Sequence, residues 1–382
     1  MLILSAVLAI FVYGLIAPML GALLPTYLLT PSQEGNIATA QALGLVLSSL
    51  SSGPFIDLRG NKAALVTGLS LVCISLFAAP NAGGYVGLLI VYLVLGLGGG
   101  IVVTAANALV GAVEASRRGS ALNFLNLFFG LGGIVTTLAA SYVLGPVSLC
   151  YSIAVLTLLA LIVNSITNMP APVGEASFRL NEVPALLSRP VLILLSFFLF
   201  LYVACEVGMW NWLKKYLITV NFDEKTAGGV VSYGFALGLL VGRLIMSRLL
   251  IRISGLTVTL FASLCMAITT YAVLELHTQA ALTAAVFCAG LAMAPVFPTT
   301  LALAQDAFPR GTATALGIVI TCGWLGLAVS SPIIGNVSAG STLHRALLLL
   351  PFFSLVMVLT NLILRALLRR PTGDVALAPN LR

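Results

Sequence analysis

Charge is the scarcest property of this sequence: 8% of its 382 residues are Asp, Glu, Lys or Arg, against roughly a quarter in soluble domains. A water-facing globular surface is therefore excluded. Histidine is scarcer still, with His277 and His344 alone, both in expected outer-face loops. An enzyme built on buried His ligands or a His base has nothing to use. The six cysteines lie in apolar runs without metal-ligand spacing and read as small buried hydrophobes. No metal site, no cofactor and no catalytic constellation is expected. The net charge of +7 is spread over short loops and forms no basic patch, which argues against a nucleic-acid partner.

What the chain has in abundance is apolar length. Hydrophobic residues make up 60% of it and the mean hydropathy is +1.13, and runs of about twenty residues, enough to cross a bilayer, recur from end to end. The pattern predicts an all-α membrane protein with twelve transmembrane helices, over 2–29, 35–57, 62–80, 84–113, 119–143, 146–168, 190–217, 227–252, 255–275, 279–305, 312–335 and 343–368. The first run lacks a basic start and a small-residue cleavage end, so it reads as a span and not as a signal peptide. With both termini cytoplasmic, Lys214, Lys215, Lys225 and Arg345 fall outside, and the other 14 of the 18 basic residues fall inside. That bias supports cytoplasmic termini by the positive-inside rule.

Within this apolar background one carboxylate stands near the middle of a span. Glu206 lies in Leu201 to Leu213, LYVACEVGMWNWL, where a charge costs roughly 2.5 to 3.5 kcal/mol on insertion scales. At helical spacing Tyr202, Glu206 and Trp210 share a face, with Asn211 and Trp212 beside it. A titratable group flanked by aromatic rings and an amide suits a small polar ligand. Packing glue, with Glu206 protonated or bonded to a neighbouring helix, is the competing explanation.

Polar residues elsewhere in the spans fall into pairs. Thr104 and Asn107, and Asn123 and Asn126, are each three residues apart, so each pair shares a helix face and can offer amides to hydroxyls in a shared cavity; interhelical hydrogen bonding alone is the competing explanation. In Gly53 to Lys62, GPFIDLRGNK, a carboxylate at a helix end can pair with Arg59 and Lys62 or with an adjacent helix N-terminus, and such a clasp can hold one conformation shut. Gly14 to Pro25 is rich in small residues and proline. Pro295 and Pro298 interrupt another span near mid-depth, where freed carbonyls can face a cavity. Asp306 lies near Arg310 and reads as its surface partner. Trp324 either walls a cavity or packs.

The stretch from Met169 to Arg189 is the one sizeable polar connection and divides the spans six and six. The halves echo each other, since Arg118-Gly119-Ser120-Ala121 matches Arg310-Gly311-Thr312-Ala313. The GPFIDLRGNK loop is similar to the signature between the second and third helices of the major facilitator superfamily, where the motif stabilises an outward-open state. TAAN ending at Asn107, LNFLN ending at Asn126, the seventh-span pattern from Tyr202 to Leu213 and YGFALGLLVGR ending at Arg243 resemble the fucose/proton symporter and sodium-dependent glucose transporter-like branch. The resemblance implies a major facilitator fold of two pseudo-symmetric six-helix bundles, 1–169 and 190–369, joined by a cytoplasmic linker, 170–189, and followed by a cytoplasmic tail, 370–382. It also implies a ligand between the halves near the midplane. Carboxylates expected in the first and fourth helices of that branch are absent.

No Arg or Lys is expected at mid-depth, Arg243 being placed toward the cytoplasmic end of its span, so an uncharged substrate is favoured. The amides of Asn107, Asn123, Asn126 and Asn211 with Tyr202, Trp210, Trp212 and Trp324 suit a sugar ring, which has polar edges and an apolar face. The expected protein is a monomeric, multi-pass transporter of the inner (cytoplasmic) membrane that moves a hexose or related sugar. Glu206 is the expected coupling residue for H+ or Na+, with uniport the alternative given the missing carboxylates, and Asp57, Arg59 and Lys62 form the clasp. An exporter of amphipathic drugs or lipids on the same scaffold is the alternative.

Overall fold

The computed structural model describes residues 1–17, 19, 23, 27, 29–170 and 183–369. Pro18 and Pro25 of the first span, most of the expected linker and the whole expected tail lie outside the described residues. Among those described, every regular element is a helix. In chain order they are α1 (Leu2–Ile16), α2 (Pro31–Ala78), α3 (Tyr85–Val113), α4 (Arg118–Tyr142), α5 (Pro146–Ile166), α6 (Val183–Leu187), α7 (Pro190–Thr219) and α8 (Glu224–Gly229). A π-helical segment (Val230–Phe235) leads into α9 (Ala236–Leu249), followed by α10 (Gly255–Glu275), α11 (Gln279–Met293), α12 (Val296–Ala307), α13 (Thr312–Gly340), α14 (Leu343–Leu347) and α15 (Leu349–Arg369).

Local chemistry sets the helix starts. Thr30 caps α2 in a reciprocal capping box with Gln33, and Pro31 follows at the first helical positions, where its missing N–H costs nothing. Pro146 and Pro190 open α5 and α7 in the same way. Ser254 accepts the Thr257 N–H to cap α10.

Ten helices among the described residues are long and apolar enough to cross a membrane. One of these, Gln33–Asn81, has 49 residues, a rise of about 74 Å at 1.5 Å per residue, more than twice a bilayer core. It is broken at Gly60, whose φ of 83° and ψ of 164° lie outside the helical region; a residue without a Cβ adopts that conformation at no steric cost. The 35–57 and 62–80 expectations therefore meet as one kinked helix. At Ala294 and Pro295 the chain turns between α11 and α12, because a proline offers no N–H to continue the ladder. Outer faces carry large exposed apolar side chains such as Phe261, Ile268 and Leu359, the surface that hydrocarbon solvates. Cys265 and Cys288 are exposed there too, contrary to the expectation that all six cysteines are buried.

The chain forms two compact units, one of Met1–Ala115, Leu125–Leu186 and Phe308–Thr321 and the other of Ser116–Phe124, Leu187–Ala307 and Cys322–Arg382. The start of α4 thus groups with the second unit, and the start of α13 with the first.

Candidate functional site

In the first unit the Asp57 carboxylate reaches the start of α13. Its oxygens accept from the backbone N–H groups of Ala313 at 3.3 Å and Thr314 at 2.9 Å, and from the Thr314 hydroxyl at 2.7 Å. Helix N-termini present unsatisfied donors and a positive dipole end, so a carboxylate is the natural partner. The approach is possible because neither helix carries a side chain at the crossing: a Cβ on Gly53 would lie 2.5 Å from the Thr314 Cα, and one on Gly317 would lie 2.5 Å from the Ser49 carbonyl oxygen. Of the two basic residues expected in the clasp, Arg59 is exposed and Lys62 is half-buried.

Also in the first unit, Asn126 on α4 donates to the Asn107 Oδ1 on α3 at 2.8 Å, and Asn107 donates to the Val103 carbonyl at 2.8 Å. Both side chains are buried. Thr104 turns its hydroxyl back to the Gly100 carbonyl of its own helix.

Asn123, one turn before Asn126, belongs to the second unit and has different partners. It donates to the Gly119 carbonyl at 2.9 Å and to the Thr299 hydroxyl of α12 at 3.2 Å, while its buried Oδ1 has no hydrogen-bond partner among the described residues. Nearby, Asp306 pairs with Arg118 and not with Arg310. Chain neighbours four apart at a helix exit were the sequence argument for Arg310; α12 ends at Ala307, so Asp306 projects across to α4 instead.

The second unit also holds Glu206. It sits midway along α7, and its carboxylate lies 3.9 Å from the Arg243 guanidinium of α9, with side-chain exposures of 18% and 6%. This overturns the expectation of a membrane interior without a cation. Arg243 does lie past the middle of its span, but its long stem reaches inward to the carboxylate instead of snorkelling outward. The signal available in the sequence was an arginine inside the apolar run ALGLLVGRLIM, a placement that is expensive unless a partner is close. Tyr202, wholly buried, turns its hydroxyl toward both charges. Trp210 faces Glu206 and packs edge-on against Phe235, the last residue of the π segment, with centroids 5.1 Å apart. Phe235 was not singled out from sequence.

The remaining expected site residues are more dispersed. Asn211 is exposed, and Trp324 is half-buried on α13. Trp212 lies under Lys215, 5.4 Å from its ammonium, and its buried indole N–H has no acceptor among the described residues. Chemically, the cluster around Glu206 offers a group able to change charge, a cation, a buried tyrosine hydroxyl facing both, and an aromatic pair.

Comparison with known proteins agrees with this architecture. The Bypass of stop codon protein 6 of Saccharomyces cerevisiae is 24% identical over 393 aligned positions, covering 88% of this chain and 76% of that protein. Among solved structures, the Escherichia coli fucose:proton symporter FucP superposes with a TM-score of 0.82 at 19% identity, covering 95% of this chain and 98% of that one. The proton:xylose symporter XylE, bound to 6-bromo-6-deoxy-D-glucose, gives 0.77 at 13% identity, with 94% of each chain covered. Identities this low speak for the fold. A family model described as Major Facilitator Superfamily matches residues 2–331 and 217–380, so this multi-span membrane protein belongs to the major facilitator superfamily.

Proposed function

We propose that the protein is a secondary active transporter that carries a small neutral polar solute, a hexose or related sugar, by alternating access. In this reading twelve helices cross the inner membrane as two six-helix bundles, in a monomer with both termini cytoplasmic. The observation that carries it is the Glu206–Arg243 pair midway along a membrane helix, bordered by Tyr202, Trp210 and Phe235. Ionisable groups at that depth mark solute and ion pathways. Because Arg243 and Glu206 cancel, the site offers no net charge to a solute, so a neutral substrate stays favoured although a cation is present. The Tyr202 hydroxyl and the polar atoms of Trp212 and Asn123 that have no partner among the described residues supply hydrogen-bonding positions, and the tryptophans a stacking face. Similarity to the fucose and xylose symporters points the same way. Glu206 couples transport to an ion, and Asp57, on the start of α13, biases the conformational equilibrium.

The experiment is uptake of radiolabelled L-fucose, D-glucose and D-xylose into proteoliposomes under an imposed proton or sodium gradient. Accumulation of one sugar above its external concentration is expected; no uptake of any of them sinks the sugar reading. An exporter of amphipathic drugs or lipids is the second reading. It draws support from a cavity of about 290 Å³ in the second unit lined by Phe197, Phe200, Leu201, Ala204, Phe352 and Phe353, among others.

A further inference from the structure

An opening on the outer surface of the second unit suits a ligand drawn from the membrane itself. We propose that the cavity of about 290 Å³ between α7, α13 and α15 is a binding site for the hydrocarbon tail of a bilayer phospholipid. None of its lining residues belongs to the Glu206 cluster, and the inference goes beyond the transporter reading without depending on it.

Local sequence explains why space is left there. A Cβ on Gly326 would lie 2.3 Å from the Phe200 carbonyl oxygen, and one on Gly208 would lie 2.7 Å from the Leu350 Cδ2 and 3.2 Å from the Ile334 Cδ1. Glycine thus lets α7 touch α13 at one level, and both α13 and α15 at a second level further along. Between these contacts Pro332 interrupts α13. It has no N–H for the Ala328 carbonyl, and helices bend at such points. The turn that loses this bond carries Val329 and Ile333, which line the cavity together with Phe200 and Ala204 of α7 and Phe352 and Val356 of α15.

Three features select the occupant. First, the mouth opens sideways: Phe197, Val329, Ile333 and Phe352 of its lining are between 39% and 57% exposed, on the apolar outer surface that hydrocarbon solvates. Second, although Ser330 is in the wall, only apolar surface faces the cavity. It therefore offers nothing to a water, a sugar hydroxyl or a charged group. Third, Phe197 to Ala204 lie roughly 10 to 21 Å along α7, counted from Pro190 at 1.5 Å per residue, a depth at which a bilayer presents acyl chains and not headgroups. The size also fits. An apolar cavity of about 150 Å³ already takes up benzene, so one of about 290 Å³ holds the end of a chain.

The test is photolabelling of the full-length protein in phosphatidylcholine liposomes, the probe being a phosphatidylcholine with a diazirine at the end of one acyl chain. Peptides of α7, α13 and α15 that line the cavity should be labelled severalfold more than the α10 face of Phe261 and Ile268, although that face is more exposed. Ala204→Phe, which fills the cavity, should remove the excess and leave the α10 labelling unchanged. Should Ala204→Phe fold poorly, Ile333→Trp at the exposed rim closes the mouth from outside and should have the same effect. Uniform labelling of both faces, or an excess that survives in a folded filling variant, overturns the proposal. Displacement of the lipid label by rhodamine 6G, a cationic amphipathic dye, would make the cavity a cargo site and overturn it as well. No sugar enters the experiment, so a negative result leaves the substrate assignment where it stands.

Discussion

Asp57 and Thr314, separated by 257 positions, meet through two hydrogen bonds, the carboxylate taking both the backbone N–H and the hydroxyl of the threonine. A side chain from the end of one helix thereby supplies the cap that α13 cannot make from its own residues. Losing a capping side chain costs about 0.5–2 kcal/mol. Asp57→Asn keeps the shape and removes the charge. We expect transport to fall severalfold while ligand binding survives, since the contact weights conformations without touching ligand. Equal loss of binding and transport, measured by equilibrium binding and uptake on the same preparation, would contradict this.

The same crossing predicts a steric phenotype. With a Cβ on Gly53 only 2.5 Å from the Thr314 Cα, Gly53→Val forces α2 and the start of α13 apart and breaks the Asp57 contact. The variant should insert into the membrane and lose most of its uptake. Wild-type rates would show that the two helices need not meet there.

Two substitutions separate ligand binding from packing. Trp210→Ala removes a ring that contacts Phe235 and is expected to weaken sugar binding by about 0.5–1.5 kcal/mol. Asn126→Ala deletes the donor to Asn107 and should weaken it by about 1 kcal/mol, the net worth of a typical hydrogen bond. Unchanged affinity in both, read by tryptophan quenching, places the site elsewhere, and matching loss of protein from the membrane indicates a packing role.

Glu206→Gln mimics a permanently protonated side chain. Under proton coupling it should abolish accumulation against a gradient and retain counterflow exchange, because exchange requires no net proton movement. A variant that still accumulates sugar with wild-type pH dependence would remove Glu206 from the coupling step.

The orientation is checked by a reporter fused after Arg382. Cytoplasmic activity is expected from the 14 inside against Lys214, Lys215, Lys225 and Arg345 outside. An external signal would reverse the assignment of the Asp57 loop.

Composition and apolar run length were enough to establish a multi-span helical membrane protein, because crossing hydrocarbon demands long apolar helices and leaves little room for charge. The Asp57 loop, the repeated Arg-Gly-Ser/Thr-Ala segments and the cluster around Glu206 were legible for the same reason, as rare polar residues in a uniform background. Partners were not. Helical periodicity relates residues three or four apart on one helix, which put Tyr202, Glu206 and Trp210 together, but it carries no information on which other helix faces them. Only the approach of α7 to the π segment and the helix that continues it brought Phe235 to Trp210 and Arg243 to Glu206. Only the path of α4 gave Asn123 to Thr299, Asn126 to Asn107, and Asp306 to Arg118 in place of Arg310. Depth along a helix was the misleading measure for Arg243, since a side chain of that length lets the charge settle well away from its own backbone, wherever a carboxylate offsets the cost of leaving water.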